Sequence, residues 1–237
     1  MNLSELVTIV VPCKNEERYI GHLLSDLEYQ VGTEDVRIII ADAQSTDSTR
    51  DIINYYKFFL NIELIEGGSV SVGRNAGDGL ATTPYILFID ADVRFFDTNV
   101  IADAVQLIHS KQLDLVTLNV KNYGKEWQAT MLFQFFNFCN SIMSRFTPFA
   151  VGAFFLTRKS VFDAFGKFPI NYHTSEDYIL SRQYDVRKFK IVNHYFGQDE
   201  RRFKKLGYIG MIRYMFVNFL NRNNLKHFEK TNIKYWD

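Results

Sequence analysis

Five apolar residues, Tyr85-Ile86-Leu87-Phe88-Ile89, run straight into Asp90-Ala91-Asp92. No other stretch limits the possible folds as much. An apolar run of this length without alternation reads as a strand buried on both faces, as in a parallel sheet covered by helices on each side. The two carboxylates then stand at the carboxyl end of that strand, the edge where open α/β sheets bind their ligands. Paired acids there attract a hard divalent cation, Mg²⁺ or Mn²⁺, which in turn holds phosphate oxygens. Taken alone, the octet fits a helix cap followed by a solvated turn acid equally well.

The flanking sequence repeats the pattern. Residues 6–11 form a β-rich run ended by Pro12, and Asn15 then precedes a helix with Ile20, Leu23, Leu24 and Leu27 at helical spacing. Residues 36–41 are a second buried strand. The polar turn 42–47 follows, its Ser45-Thr46-Asp47 suited to capping a helix that carries Ile52, Ile53, Tyr56 and Phe59. Residues 62–65 make a third strand, 72–80 a helix, 98–111 another helix and 113–120 a strand. Strand alternating with helix so regularly predicts βαβ units around a mainly parallel sheet.

Beyond residue 120 the pattern changes. Residues 127–144 carry no charge. Thr130, Gln134, Asn137, Ser141 and Ser144 recur at helical intervals opposite Leu132, Phe135, Phe136, Cys139, Ile142 and Met143. This is an amphipathic helix with a neutral polar stripe, too polar to span a bilayer and expected to pack on the sheet, with a membrane surface as the alternative. Strands at 152–156 and 189–195 and short helices at 161–165 and 178–184 follow.

At 237 residues the chain suits one large α/β domain with a C-terminal extension. Its net charge of zero hides an asymmetry: residues 1–177 hold 14 Lys+Arg against 22 Asp+Glu, and residues 178–237 hold 13 against 5. An acidic body suits a metal-assisted site; a basic tail suits an anionic partner. No nucleic-acid partner is expected. Cys13 and Cys139 have neither disulfide nor metal-ligand spacing, which indicates a reducing compartment. The first residues lack a basic-then-apolar signal pattern, so the expected location is the cytoplasm, extending to the inner face of the cell membrane.

Four separated pieces carry more specific information. They are Pro12-Cys13-Lys14-Asn15-Glu16, Asp42-Ala43-Gln44-Ser45-Thr46-Asp47, Gly73-Arg74-Asn75-Ala76-Gly77 and Asp90-Ala91-Asp92. In order and spacing they resemble a family-2 glycosyltransferase of the GT-A fold, over about residues 5–195. The resemblance implies a Rossmann-like, mainly parallel sheet flanked by helices. It also implies a catalytic domain over 1–197, with a nucleotide-binding half at 1–120 and an acceptor half at 121–197, and a helical extension at 198–237. The implied reaction is inverting transfer of one sugar from a nucleotide-diphosphate donor, with UDP the expected nucleotide, to a hydroxyl acceptor. Pro12, Asn15, Glu16 and Asp42 would contact base and ribose, and Arg74 a phosphate or the nucleotide edge. The family's second acid is missing at Asp42-Ala43-Gln44-Ser45. Asp90-Ala91-Asp92 resembles the metal-binding Asp-x-Asp, with Asp92 the direct ligand of Mn²⁺ or Mg²⁺ and Asp90 touching ribose or metal.

Inversion requires a carboxylate to take the acceptor's proton. Glu176-Asp177 matches the family's Glu-Asp pair, which makes Asp177 the candidate base and Glu176 its orienting or acceptor-contacting neighbour. His194, or else His173, is a candidate third metal ligand. Gln198-Asp199-Glu200-Arg201-Arg202 loosely resembles the Gln-x-x-Arg-Trp of processive members, but Arg202 replaces the Trp and no multi-span segment is present. Arg201 and Arg202 are read instead as clamps for pyrophosphate or a phosphorylated acceptor. Residues 206–220 form an apolar helix flanked by basic residues, expected at an anionic membrane surface, on the core or in a homodimer contact. Such a tail suits a lipid-linked or membrane-proximal glycan acceptor. A nucleotidyltransferase would need a Gly-rich phosphate loop after the first strand, which Pro12-Cys13-Lys14-Asn15 is not. A non-catalytic nucleotide- or glycan-binding module is the third reading, and the presence of both Asp92 and Asp177 argues against it.

Overall fold

In the computed structural model of the protein, residues 1–172 and 174–230 are described, with the side chains of all of these except Arg202 and Lys230. His173 therefore lies outside the described residues, as does the Arg202 side chain.

Among the described residues eight strands form one sheet: β1 Val7–Cys13, β2 Ile38–Asp42, β3 Ile62–Glu66, β4 Tyr85–Ile89, β5 Arg94–Phe95, β6 Leu115–Asn122, β7 Phe154–Arg158 and β8 Phe189–Gln198. Their order is β3-β2-β1-β4-β7-β6-β8-β5. The pairs β1–β2, β2–β3, β1–β4 and β6–β8 are parallel, and β7 runs antiparallel to both β4 and β6. The sheet is thus parallel in the expected first half and mixed beyond it. β7 begins at the edge of the sheet where β6 ends, joined to it by residues 123–153, and so runs antiparallel to β6 and to β4.

The helices are α1 Ile20–Glu28, α2 Thr49–Tyr56, α3 Val70–Leu80, α4 Val100–Ser110, α5 Trp127–Met143, α6 Lys159–Ala164, α7 Glu176–Ser181, α8 Arg201–Leu206, α9 Tyr208–Leu220 and α10 Leu225–Lys230. Side chains alternate across the sheet. Tyr85, Leu87 and Ile89 of β4 join a core shared with α1 and α4, and Ile86 and Phe88 join one shared with Phe155, Phe162, Phe168 and Leu180. Phe88 lies 5.1 Å from Phe162 and 5.0 Å from Phe168, centroid to centroid. Removing its ring would cost about 3–5 kcal/mol. On α3, a Cβ at Gly77 would fall 2.4 Å from Val10 Cγ1 and one at Gly73 3.3 Å from Pro12 Cβ. The two glycines let α3 lie close against β1, and Pro12 is part of that contact.

α5 packs on the sheet, with Phe133 and Phe136 against the main core, but not through its apolar side alone. Part of its polar stripe turns inward: Asn137 accepts from the Val120 N–H at 3.0 Å and donates to the Val120 carbonyl at 2.8 Å, and Asn140 donates to the Phe149 carbonyl, while Gln134 and Ser141 are exposed. Trp127, Met131, Phe135, Phe138 and Ile142 are exposed. α9 buries Met211 against Ala129 and Phe203, with Tyr208, Tyr214 and Met215 packed around them. Among the described residues no helix is long and apolar enough to cross a membrane.

Candidate active site at the carboxyl edge of the sheet

The loops after β1 and β2 hold each other. Asn15, at a positive φ of 52°, donates its N–H to Ser45 Oγ at 2.8 Å and accepts from the Thr46 N–H at 2.8 Å. Asp42 is fully buried; it accepts from the Ser45 N–H and hydroxyl and from the Arg50 guanidinium. Burial alone would raise the Asp42 carboxyl, but these donors outweigh it and hold it below the ordinary carboxylate range. The capping expected of Ser45-Thr46-Asp47 falls to Asp47, which accepts from the Thr49 N–H at 3.0 Å.

Asp90 and Asp92 follow β4 and are both buried. Each is met by an arginine. Arg74, fully buried on α3, donates to Asp90 at 2.7 Å and to Glu176 at 2.8 Å, and its guanidinium lies 4.9 Å over the Phe168 ring. Arg201 of α8 donates to Asp92 at 2.8 Å and to both oxygens of Glu16, at 2.9 and 3.0 Å, while stacking 4.6 Å over Tyr19. Burial pushes the Glu16 carboxyl up, opposed by Arg201 and reinforced by Asp92 and Asp90. Asp177 accepts from the Gly152 N–H at 2.8 Å and from its own neighbour's N–H, that of Tyr178, at 2.7 Å. Its carboxyl is held well above the ordinary range, first by burial and then by the charge of Glu176. Ser175, immediately before the pair, sits at φ 61°, a left-handed conformation rare for serine. Strained backbone of this kind concentrates at functional sites.

Glu16, Arg74, Asp90, Asp92, Glu176, Asp177 and Arg201 are therefore one connected group, with Asp42 and Asn15 at the neighbouring strand end. His194 is not part of it. Extra residues of β8 between the pairs Leu118–Val192 and Asn119–Tyr195 turn its ring towards α4, where Nε2 lies 2.8 Å from Asp103 Oδ2. The expectation of a metal-ligating His194 is corrected on that ground. Several contributors carried no sequence signal of their role: Tyr19, Arg50 and Gly152, where a Cβ would stand 2.7 Å from Arg74 Nη2. Glu200 is another. It is buried and accepts from Asn122, the Glu126 N–H and Lys204, which anchors the residue next to Arg201.

The donor set suits a hard divalent cation. Asp90 and Asp92 offer oxygen ligands from one strand end, and Mg²⁺ or Mn²⁺ takes its remaining positions from phosphate oxygens and water. Among the described residues no third His, Cys, Asp or Glu completes a protein-only cage. Glu16 and Asp92 share the guanidinium of Arg201, and Asp90 and Glu176 share that of Arg74.

The glycosyl transferase family 2 model matches residues 8–166. The chain belongs to that family. A poly(ribitol-phosphate) beta-glucosyltransferase of Bacillus spizizenii is 39% identical over 92 residues, which is 36% of this chain and 14% of that protein. Validoxylamine A glucosyltransferase of Streptomyces hygroscopicus is 32% identical over 93 residues, 37% of this chain and 20% of that protein. The chain thus spans a fifth or less of the length of these relatives. Among solved structures, S. aureus TarS 1–349 in complex with UDP-GlcNAc superposes with a TM-score of 0.64 at 20% identity, covering 82% of this chain and 58% of that one. A mannosyltransferase of Pyrobaculum calidifontis in complex with GDP-Man and Mn²⁺ gives 0.67 at 20% identity, over 81% and 56%. At that identity both likenesses establish the fold, an α/β GT-A architecture with a mixed sheet.

Proposed function

We propose that the protein is a hexosyltransferase that moves one sugar, with inversion, from a nucleotide-diphosphate donor, UDP-linked, to a hydroxyl acceptor. The observation that carries this reading is Arg74, which joins Asp90 after β4 to Glu176 beside the candidate base at 2.7 and 2.8 Å. One buried cation thereby fixes the distance between the two halves of the reaction. The relatives' names add support, since a glucosyl group and a poly(ribitol-phosphate), a polymer of polyol units, are a hexose and a hydroxyl acceptor.

Asp42 and the Asn15–Ser45–Thr46 clamp hold the base and ribose end of the donor. Arg74 and Arg201 keep positive charge beside the diphosphate. Asp177 takes the proton of the acceptor hydroxyl as its oxygen attacks the sugar C1. The bond from C1 to the diphosphate oxygen breaks, and its electron pair leaves with the nucleoside diphosphate. The N–H groups of Gly152 and Tyr178 aim the Asp177 carboxylate, and its raised pKa makes it a stronger base than an ordinary aspartate. Asp92 and Asp90 would hold a divalent cation, which would supply Lewis-acid neutralisation of the leaving diphosphate. Residues 1–120 form the donor half and 121–197 the acceptor half, and the 198–237 extension contributes Arg201. Its basic, aromatic composition suits a lipid-linked acceptor or a cell-surface glycan precursor.

The test is a panel of nucleotide sugars with Mn²⁺, followed by product and donor hydrolysis. Transfer or hydrolysis that falls about 10²–10⁴-fold in Asp177→Asn is the expected result. No turnover with any donor, or full activity in both Asp177→Asn and Asp92→Ala, contradicts the reading.

A further inference from the structure

α5 turns part of its polar stripe inward and an apolar row outward, with Gln134 and Ser141 also exposed. Its polar Thr130, Asn137, Asn140 and Ser144 side chains bond within the protein. Its outer row is Trp127, Met131, Phe135, Phe138 and Ile142, continued by Phe146, with exposures of 64% at Trp127, 61% at Phe135 and 81% at Phe146. At 1.5 Å per residue that row is about 25 Å long. α9 repeats the arrangement: Met211 is buried, while Ile209, Ile212, Phe216, Phe219 and Leu220 are exposed. The inner faces of the two helices share one small core with Phe203. Exposed apolar rows of this extent mark a surface that meets something other than water.

The charges around the rows indicate what that is. Residues 127–146 and 201–228 contain no Asp or Glu. Arg145, Lys205, Arg213 and Lys226 are exposed beside or between the apolar positions. A second copy of the chain would bring the same cations against these, since a two-fold contact places a patch on itself. An anionic surface complements them. Basic residues flanking aromatic and aliphatic rows are the composition of helices that lie in the headgroup region of a bilayer.

We propose that the outer rows of α5 and α9 dock the protein on a membrane leaflet containing anionic lipid. The docking does not depend on the transferase reading, and it is measured without donor or turnover. Where both hold, they join physically. Phe136 of α5 packs on Phe149 at 5.9 Å and Phe149 on Tyr178 at 5.6 Å, next to Asp177. The helix resting on lipid is then two aromatic contacts from the candidate base, on the side from which a membrane-borne hydroxyl would approach.

The experiment is co-sedimentation of the full chain with phosphatidylcholine vesicles made with and without phosphatidylglycerol, together with light scattering of the lipid-free protein. Binding that needs phosphatidylglycerol and weakens with salt is expected. Arg145→Gln, Lys205→Gln, Arg213→Gln and Lys226→Gln should each weaken it about fivefold. Phe135→Ser with Phe138→Ser should abolish it while leaving the melting curve unchanged; if that variant does not fold, the charge variants decide alone. Absence of binding, equal binding to phosphatidylcholine alone, or a dimer that dissociates on Phe135→Ser with Phe138→Ser would overturn the proposal.

Discussion

Arg201 and Asp92, 109 residues apart in the chain, meet at 2.8 Å, and the same guanidinium grips Glu16 through both carboxylate oxygens. The strand-end acid that suits a metal ion therefore already has a counter-charge, delivered by a helix from beyond the last strand.

Removing that charge should separate binding of metal from use of donor. In Arg201→Ala, Asp92 and Glu16 face each other without their shared cation, so Mn²⁺ measured by calorimetry without nucleotide should bind more tightly than in the wild type. Turnover with donor should fall about ten- to a hundredfold, the range for losing a charged hydrogen bond. Unchanged Mn²⁺ affinity would show that Arg201 does not compete for the acid.

Arg74 is expected to be structural and functional at once. It is fully buried between Asp90 and Glu176, so Arg74→Met leaves two buried carboxylates without their cation. Loss of one partner from such a group costs about 3–5 kcal/mol, read by denaturant unfolding. Gly152→Ala is the milder probe. Its new Cβ stands 2.7 Å from Arg74 Nη2, and the displaced guanidinium should lower turnover with a stability loss of about 1–3 kcal/mol.

The pH dependence has a definite sign. The Asp177 carboxyl is raised by burial and by Glu176, and the base acts only when deprotonated, so turnover should climb as pH rises through that elevated pKa. Stability should run the other way. Between the ordinary aspartate pKa and the raised one, the folded state holds a proton that the unfolded state has lost, so stability declines as pH rises across this window. Asp177→Asn should remove that slope and be more stable than the wild type above it. A parallel slope in wild type and variant would mean that another group is responsible.

Much of this site could be read in the sequence because it sits where strands end. Unbroken apolar runs locate β1, β2 and β4, and the first polar residues after them, Asn15, Asp42, Asp90 and Asp92, fall on one edge of the sheet by topology alone. Asp177 could be read only through its resemblance to a family pair. What periodicity does not encode is contact across the fold. Nothing near Arg201 indicates that it reaches Glu16, 185 residues earlier. The placement of His194 beside Asp103 rests on irregular pairing in β8, which the sequence does not signal. α5 shows the remaining limit: its helical spacing was visible, but the same spacing fits either face inward. The carbonyl and N–H of Val120 decide that the asparagine face turns in.

Glu200 should act as the anchor of Arg201. Burial would raise its carboxyl, but Lys204, the Glu126 N–H and Asn122 hold it down to about 2. Its stabilisation is therefore complete above the ordinary glutamate pKa and is lost as pH falls towards about 2. Glu200→Gln should flatten the acid limb of stability measured by urea unfolding. In Gly124→Ala the added Cβ would overlap Glu200 Oε2, at 2.1 Å, so this variant should weaken donor turnover through displaced Arg201.

The central claim is that Asp177 is the base of a sugar transfer whose donor is held independently by the β1, β2 and β4 strand ends. The most direct measurement pairs UDP binding by calorimetry in Mn²⁺ with product formation from UDP-sugars, in the wild type and Asp177→Asn. The account requires equal UDP affinity in the two proteins and a product rate about 10²–10⁴-fold lower in the variant. Equal product rates, or UDP binding by neither protein, would contradict it.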